Sequence, residues 1–196
     1  MHPFRSIYQD VAVPALKQIR TYPSVYQIPV VTKVSLNIGV GAIRDNKQAM
    51  EETVKLLQTI SGQKPVLTRA RTSIAGFKIR QGMVVGVSVT LRGERMNDFL
   101  MKLVQVALPR TRDYRGVRQT AVTADGNLNI GIKESGIFPE ASFDGTNRSL
   151  QVTLVSTAKT IKEARALYES LGFVFSTDAE VNAIKRRRGA IRSKKK

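Results

Sequence analysis

The chain has no cysteine, no tryptophan and a single histidine among its 196 residues. Without a thiol there is no disulfide framework, no thiolate nucleophile and no Cys-ligated metal. The one histidine, His2, stands at the N-terminus, where chains are poorly ordered. A Ser–His pair, a two-His metal site and most imidazole acid–base chemistry are thereby excluded, and neither a metal nor a cofactor is expected. Long apolar runs are missing too: none approaches the roughly 20 residues that span a bilayer. Met1-His2-Pro3-Phe4-Arg5 lacks the charged-then-apolar layout of a secretory signal. An intracellular, cytoplasmic protein with no membrane segment is expected.

Acids are the last scarcity. Fifteen Asp+Glu face 32 Lys+Arg, a formal net charge of +17. So large an excess repels itself in a compact state and needs a polyanionic partner to be useful. Nucleic acid is the first candidate, an anionic membrane surface the second. With 42% apolar residues the chain can bury a core, and its length suits one domain. The domain is expected over 1–175, followed by a basic extension, 176–196, disordered without RNA.

Phe4 to Arg20 carries apolar residues at helical spacing (Phe4, Ile7, Val11, Ala15, Leu16, Ile19), with Pro14 kinking the helix or starting a second one. From Val30 the period changes to two. Val30, Thr32, Val34, Leu36 and Ile38 face one way, and Val31, Lys33, Ser35 and Asn37 the other. Gly39-Val40-Gly41 follows, then Asp45 and Gln48 in capping-box spacing and a helix bearing Ala49, Met50, Val54, Leu57 and Ile60, closed by Gly62. Pro65 to Arg69 reads as a short strand and Arg71 to Gly82 as a loop or extended hairpin. Met83 to Arg92 alternates again, with Gly86, Ser88, Thr90 and Arg92 on its polar side. A helix is predicted over Glu94–Leu108, ended by Pro109. Strands follow around Leu128–Ile132 and Leu150–Val155. A last helix begins at Thr160 with Glu163 three residues on, uses Ile161, Ala164, Leu167 and Leu171, and stops at Gly172.

Strands with one apolar and one polar side predict an α+β fold: a mainly antiparallel sheet with helices packed on one face and a polar face left open for RNA. That face would carry Lys33, Ser35, Asn37, Ser88, Thr90 and Arg92, amides, hydroxyls and cations that suit ribose and phosphate. The alternative is an ordinary solvated face.

The strongest signal is charge placement. No acid occurs between Glu52 and Glu94, whereas Lys55, Lys64, Arg69, Arg71, Lys78, Arg80 and Arg92 all do. A surface needing only solubility would intersperse the signs; a continuous positive field concentrates phosphate. Within this stretch the glycines of Arg71–Gly82 permit bending, its cations reach phosphates, and Phe77 either stacks on a base or, with Ile79, pins the loop to the core. Eight cations lie from Lys185 onward, among them Arg186, Arg187 and Arg188, leaving +9 of the +17 on the rest. Such a run stays disordered until it meets a polyanion. Gly39-Val40-Gly41 fails the dinucleotide fingerprint because Arg44 stands at the third glycine position, and no Gly-Lys-Ser/Thr forms a phosphate loop. Glu94 and Asp98, one helical turn apart beside Arg95 and Lys102, read as a solvated helix face rather than a catalytic pair.

Val34-Ser-Leu-Asn-Ile-Gly-Val-Gly41, Ser61-Gly-Gln-Lys-Pro65, Ala75-Gly-Phe-Lys-Ile-Arg-Gln-Gly82 and Val89-Thr-Leu-Arg-Gly-Glu-Arg95 resemble the bacterial type of large-subunit ribosomal protein five. Ala107-Leu-Pro-Arg-Thr-Arg-Asp-Tyr-Arg-Gly116, Asp125-Gly-Asn127 and Ile137-Phe-Pro-Glu140 continue the likeness in order, from about Ile7 to Phe175. The pattern departs at Val117–Ala124, Glu134–Gly136 and Phe143–Leu150. The resemblance implies a sheet with helices on one face, binding of 5S ribosomal RNA and its attachment to the central protuberance. It puts Asn37, Gln63, Phe77 and Thr90 in the 5S contact, to which the polar face adds Lys33, Ser35 and Arg92. It likens the loop bearing Arg71, Thr72, Ser73, Lys78 and Arg80 to one that approaches transfer RNA in the peptidyl site. Ile137, Phe138, Pro139 and Glu140, in a segment running to Asn147, resemble the part that meets small-subunit ribosomal protein thirteen in an intersubunit bridge. Arg110, Arg112, Arg115, Lys185, Arg186, Arg187 and Arg188 are expected on other large-subunit rRNA, beside other central-protuberance proteins.

The reading is of a non-catalytic RNA scaffold; the rivals are an RNA-modifying enzyme and a general nucleic-acid-compacting protein. Affinity for RNA should fall steeply with salt. If six or more phosphates are neutralised, raising salt from about 50 to about 200 mM weakens binding by about 10³-fold or more. Filter binding across a salt series measures the slope, and a flat profile contradicts phosphate neutralisation.

Overall fold

Alternation of apolar and polar side chains gives each strand two unlike sides, and stacking those strands in register builds a two-faced sheet. A computed structural model describes residues 3–41, 43, 46–112, 114–141 and 148–176. Its strands are β1 (Val31–Gly39), β2 (Val66–Arg69), β3 (Val84–Leu91), β4 (Leu128–Ile132) and β5 (Leu150–Ser156). They form one five-stranded sheet in the order β2-β3-β1-β5-β4, with every pairing antiparallel. Strand β1 is central, with Leu36 opposite Val89 on one side and Val152 on the other. Val34, Leu36, Ile38, Val87, Leu91, Leu128, Val152 and Leu154 are fully buried. The fold is α+β, as its periodicities predict.

The helices pack on that apolar side. They are α1 (Pro3–Ile7), α2 (Val13–Ile19), α3 (Lys47–Ser61), α4 (Gly93–Lys102) and α5 (Ile161–Ser170). α3 lies against β3, α4 against β1 and α1, and α2 against α5. Asn46 caps α3 by accepting the Ala49 N–H at 3.1 Å, and Gly62 ends it in the left-handed conformation. The expected cap, Asp45, lies outside the described residues, as do His2 and Arg44; Gln48 bonds forward to Glu52 instead. On α5, Thr160 accepts the Glu163 N–H while Glu163 accepts the Lys159 N–H, so the reciprocal arm of the box reaches one residue further back.

Three expectations about facing change. Phe4–Arg20 is helical in pieces: α1 and α2 are joined by a wider π-type turn, Tyr8–Ala12. The wider turn advances the phase, so Ala12 and Leu16 are buried while Val11 and Ile19 are about half exposed. Pro14 follows this turn at the start of α2, within the helical run, and donates no N–H to it. A second π-type turn, Leu103–Ala107, follows α4 within the helix predicted to run unbroken to Leu108. In β1 the pairing with β5 slips between Val31 and Lys33. This bulge turns Val31 into the core and leaves Val30 and Thr32 outside, with the Thr32 hydroxyl donating to the Val155 carbonyl at 3.1 Å. On α5, Ile161 is 50% exposed, and Tyr168 takes the core position beside Leu167. Its hydroxyl lies within hydrogen-bond distance of the Gly126 and Leu154 carbonyls, and burial pushes its pKa up to about 12.

The last described residues are clamped. Val117 N–H donates to Val174 O at 2.7 Å, and Ser176 N–H returns to Val117 O at 2.9 Å. Gly116 makes room for this. Its φ is +87°, and a Cβ there would stand 2.8 Å from the Val174 carbonyl oxygen. The folded body therefore includes Ser176, and residues 177–196 lie outside the described residues.

Among the described residues one acid is buried, and it is paired. Glu163, 3% exposed, pairs with Arg20 at 3.1 Å. Burial alone would raise its pKa, but the hydrogen bonds from Arg20 and from the Lys159 N–H hold it below the usual carboxylate range. The folded carboxyl thus binds its proton more weakly than the unfolded one. Its stabilisation is complete above the unfolded value, near 4.5, and is lost as pH falls through the folded one. Glu163→Gln should lower the melting temperature at neutral pH, where Arg20 loses its counter-charge, and should flatten its decline below pH about 5. Thermal melts of both proteins across an acid series measure this. Parallel acid limbs would show that Glu163 contributes no pH dependence.

Candidate nucleic-acid interface

The side of the sheet away from the helices is set by the strand register. One cross-strand row runs Asn129–Thr153–Ser35–Thr90, and the next Gly131–Gln151–Asn37–Ser88–Val66. With about 4.8 Å between strands, the second row spans roughly 19 Å. Asn37, Thr90, Gln151 and Gly131 are exposed; Ser35, Ser88, Asn129, Thr153 and Lys33 are half-buried. No strand position on this side is a carboxylate. Arg92, one residue beyond β3 in extended conformation, is exposed.

Gln63 joins this surface from α3. The left-handed Gly62 turns the chain back, Ser61 Oγ engages the Gln63 backbone, and Gln63 Nε2 donates to the Thr90 carbonyl at 3.5 Å. Asn37, Gln63 and Thr90 are thus brought into one neighbourhood. Gly86 shapes it: a Cβ there would lie 2.6 Å from Thr68 Oγ1 and 3.5 Å from Asn37 Oδ1.

Phe77 belongs to a different feature. The β2–β3 connection is a closed hairpin in which Ile74 and Ile79 exchange backbone bonds of 2.9 and 3.1 Å. Its base is tied by Ala70 N–H to Met83 O, Gly82 N–H to Ala70 O and Arg69 Nη1 to Gly82 O. Ser73 Oγ accepts the Gln81 N–H, and Lys78 takes the left-handed conformation at φ 53° after the turn Ala75–Phe77. Arg71, Thr72, Ser73, Lys78 and Arg80 are all exposed, and Phe77 is 70% exposed. Phe77 therefore does not anchor the loop in the core; Ile79, half-buried, is the more enclosed of the two. The hairpin starts at the Arg69–Val84 pair, roughly 20 Å along β3 from Thr90. The sequence-predicted contacts thus divide into a sheet surface and a projecting loop.

Arg110, Arg112 and Arg115 are exposed on the connection after α4, and Arg118, which sequence reading passed over, is exposed beside them. Lys185, Arg186, Arg187 and Arg188 lie outside the described residues. Ile137 and Phe138 turn inward: Ile137 is 7% exposed, and Phe138 is fully buried and stacked on Phe99 at 6.1 Å. Pro139 and Glu140 are half-buried, with Glu140 held by Lys102 at 2.8 Å. The ammonium of Lys102 also caps the Ile60 carbonyl. Any partner of this segment would meet Pro139 and Glu140; residues 142–147 lie outside the described residues.

Among the described residues no cluster of His, Cys, Asp or Glu could hold a metal, and no helix is long and apolar enough to cross a membrane. Two surface depressions, one lined by Lys55, Gln58, Thr59 and Gly62 and one by Phe4, Tyr8, Val31, Met96 and their neighbours, contain neither carboxylate nor histidine. Glu94 and Asp98 lie on the exposed side of α4. Sequence reading also missed Asn129, Gln151 and Thr153. Their alternation is legible, but which strands they adjoin is a matter of register.

Two family models cover most of the chain: Ribosomal protein L5 matches residues 24–80, and the C-terminal model of the same ribosomal family matches 84–175. Among similar proteins, the large ribosomal subunit protein uL5 of Acaryochloris marina is 49% identical over 173 residues, covering 87% of this chain and 96% of its own. That of Syntrophomonas wolfei is 51% identical over 170 residues, covering 86% and 96%. That of a Thermoanaerobacter species is 48% identical over 178 residues, covering 90% and 99%.

The tight packing at Gly86 makes a measurable claim about this surface. Gly86→Ala should destabilise the fold by about 1–3 kcal/mol, the usual cost of overpacking. Adding Thr68→Ala should recover most of that loss, because the nearest atom is Thr68 Oγ1. Urea midpoints of the two single variants and the double give the coupling; strict additivity would mean that the clash is relieved elsewhere.

Proposed function

The chain belongs to the ribosomal protein L5 family, structural and non-enzymatic constituents of the large ribosomal subunit, and on that footing we propose that it holds 5S ribosomal RNA on the polar side of its sheet and fastens it to the central protuberance. The observation that carries this reading is that Asn37, Gln63 and Thr90 meet on a side of the sheet whose described strand positions hold no carboxylate. Amides and hydroxyls on a rigid sheet suit ribose and phosphate oxygens, and Lys33 and Arg92 at its margin supply charge for the backbone. A preformed surface also loses little entropy when RNA docks.

The hairpin from Arg71 to Gly82 projects its cations and Phe77 beyond the sheet, and we assign it to transfer RNA in the peptidyl site. Its closed base fits a probe that must reach without collapsing. Exposed Arg110, Arg112 and Arg115, with the basic tail, are assigned to neighbouring large-subunit rRNA. Pro139, Glu140 and the stretch up to Asn147 would meet small-subunit ribosomal protein thirteen, with Ile137 and Phe138 supporting that contact from the core. Its place of work would be the cytoplasmic ribosome.

Two sets of substitutions separate sheet from loop. Asn37→Ala with Thr90→Ala should lower 5S affinity at least several-fold, since each lost hydrogen bond is worth roughly 0.5–3 kcal/mol. Replacing Arg71, Lys78 and Arg80 by Ala should leave most 5S binding intact and reduce peptidyl-site occupancy on reconstituted ribosomes. Neither set opens a core cavity, so both proteins should melt like the parent. Loss of 5S RNA from the loop variant, with normal binding by the sheet variant, would reverse the assignment.

A further inference from the structure

The proposed 5S surface centres on β1 and β3, and the register continues the same side of the sheet onto β5 and β4. Ser35 and Asn37 stand opposite Thr153 and Gln151, which in turn stand opposite Asn129 and Gly131. The two halves differ in chemistry. Toward β1 and β3 lie the cations Lys33 and Arg92, and the basic hairpin beyond. The β5–β4 half presents Gln151, Thr153, half-buried Val155, Asn129 and Gly131 from its strands, none of them charged, and a cation, Lys133, stands only beyond the end of β4. The strands of that half cannot neutralise phosphate, so whatever they bind they must bind by hydrogen bonding.

The hydrogen bonds inside this half leave a defined pattern. Thr153 Oγ1 donates to Asn129 Oδ1 at 2.7 Å. The threonine thereby commits its only proton and retains lone pairs that can accept, while the asparagine carbonyl accepts and its amide N–H groups remain able to donate. One strand spacing apart, the pair offers an acceptor beside a donor. A ribose 2′-hydroxyl is both donor and acceptor, and it is the group by which RNA differs from DNA. Gln151 repeats both functions in the next row. Beside it, at Gly131, an added Cβ would meet nothing within 4 Å, so the strand backbone lies open to close approach.

We propose that Asn129, Thr153 and Gln151 form a ribose-reading half of the RNA surface, which recognises 2′-hydroxyls and makes binding selective for RNA over DNA of equal charge. The inference rests on the sheet being the 5S surface. It leaves the cations and the Asn37 and Thr90 hydrogen bonds on the β1–β3 side, and assigns most of the distinction between sugars to the β5–β4 side. A general nucleic-acid-compacting protein would have no use for such a half.

The test is a cycle of protein variant against RNA variant, using the full chain. The probes are 5S rRNA reassembled from two fragments, and the same molecule with 2′-deoxynucleotides across the protein-protected part of one fragment. Deoxy substitution should weaken the parent protein about tenfold or more, the equivalent of one or two lost hydrogen bonds. The combined variant Asn129→Ala, Thr153→Val, Gln151→Val should bind ordinary 5S RNA more weakly, lose less than about threefold on deoxy substitution, and keep the parent's salt slope. If the combined variant melts early, Gln151→Val alone, at an exposed strand position, is read the same way with a smaller expected change. Lys33→Ala with Arg92→Ala should do the opposite: a shallower salt slope with the deoxy penalty retained. An equal deoxy penalty for parent and variant, or none for the parent, overturns the inference. If Asn37→Ala with Thr90→Ala also leaves 5S affinity unchanged, the sheet surface itself is wrong. If that pair weakens binding while the β5–β4 variant does not, only the ribose-reading half falls.

Discussion

The pairing of β1 on both of its edges is the constraint from which the rest follows. Between β3 and β5, its backbone groups are committed to ladders on both sides, and its side chains can only point toward the helices or away from them. Val34, Leu36 and Ile38 fill the core side. Ser35 and Asn37 are thereby held outward at fixed height and spacing, with Thr90 and Ser88 on one flank and Thr153 and Gln151 on the other. A recognition surface gains its accuracy in this way, because moving one of its side chains would require breaking a ladder that the core holds in register.

Charge is distributed to match. A protein at +17 repels itself, and two of its carboxylates are committed to ion pairs that tie its elements together. Glu163 joins α5 to the end of α2 through Arg20, and Glu140 joins its turn to α4 through Lys102, whose ammonium also caps α3. These two acids fasten the helical layer, and among the described residues the strand positions on the other side of the sheet carry none.

Much of the fold was legible because its evidence is local. The alternation at Leu36-Asn37-Ile38 and at Val87-Ser88-Val89 fixes which side chains oppose which, whatever the neighbours are. Gly62 and Thr160 mark helix ends through bonds to residues within a turn. The Arg71–Gly82 hairpin was legible as a projecting basic element, but not whether Phe77 would point inward. That depends on whether a core surface lies within reach, and the closed base of the hairpin leaves Phe77 exposed. Ile137 and Phe138 misled for the converse reason. As a motif they suggested a contact surface, whereas Phe99, a side chain on a distant helix, receives Phe138 in the core.

By itself the sequence determined the class of partner, the two-sided strands and the family, since composition, period-two alternation and ordered motifs all reside in short stretches of chain. Only the tertiary structure decided which residues share the polar side of the sheet. The bulge that turns Val31 inward exists because β1 pairs with β5, where Thr32 and Val155 are 123 positions apart. The π-type turn that brings Ala12 rather than Val11 into the core is set by what α1 and α2 pack against. Asn129, Gln151 and Thr153 join Ser35 and Asn37 through the same long-range ladders. Side-chain direction is a property of the local backbone, but adjacency across strands is a property of pairing between distant segments, and no single segment contains it.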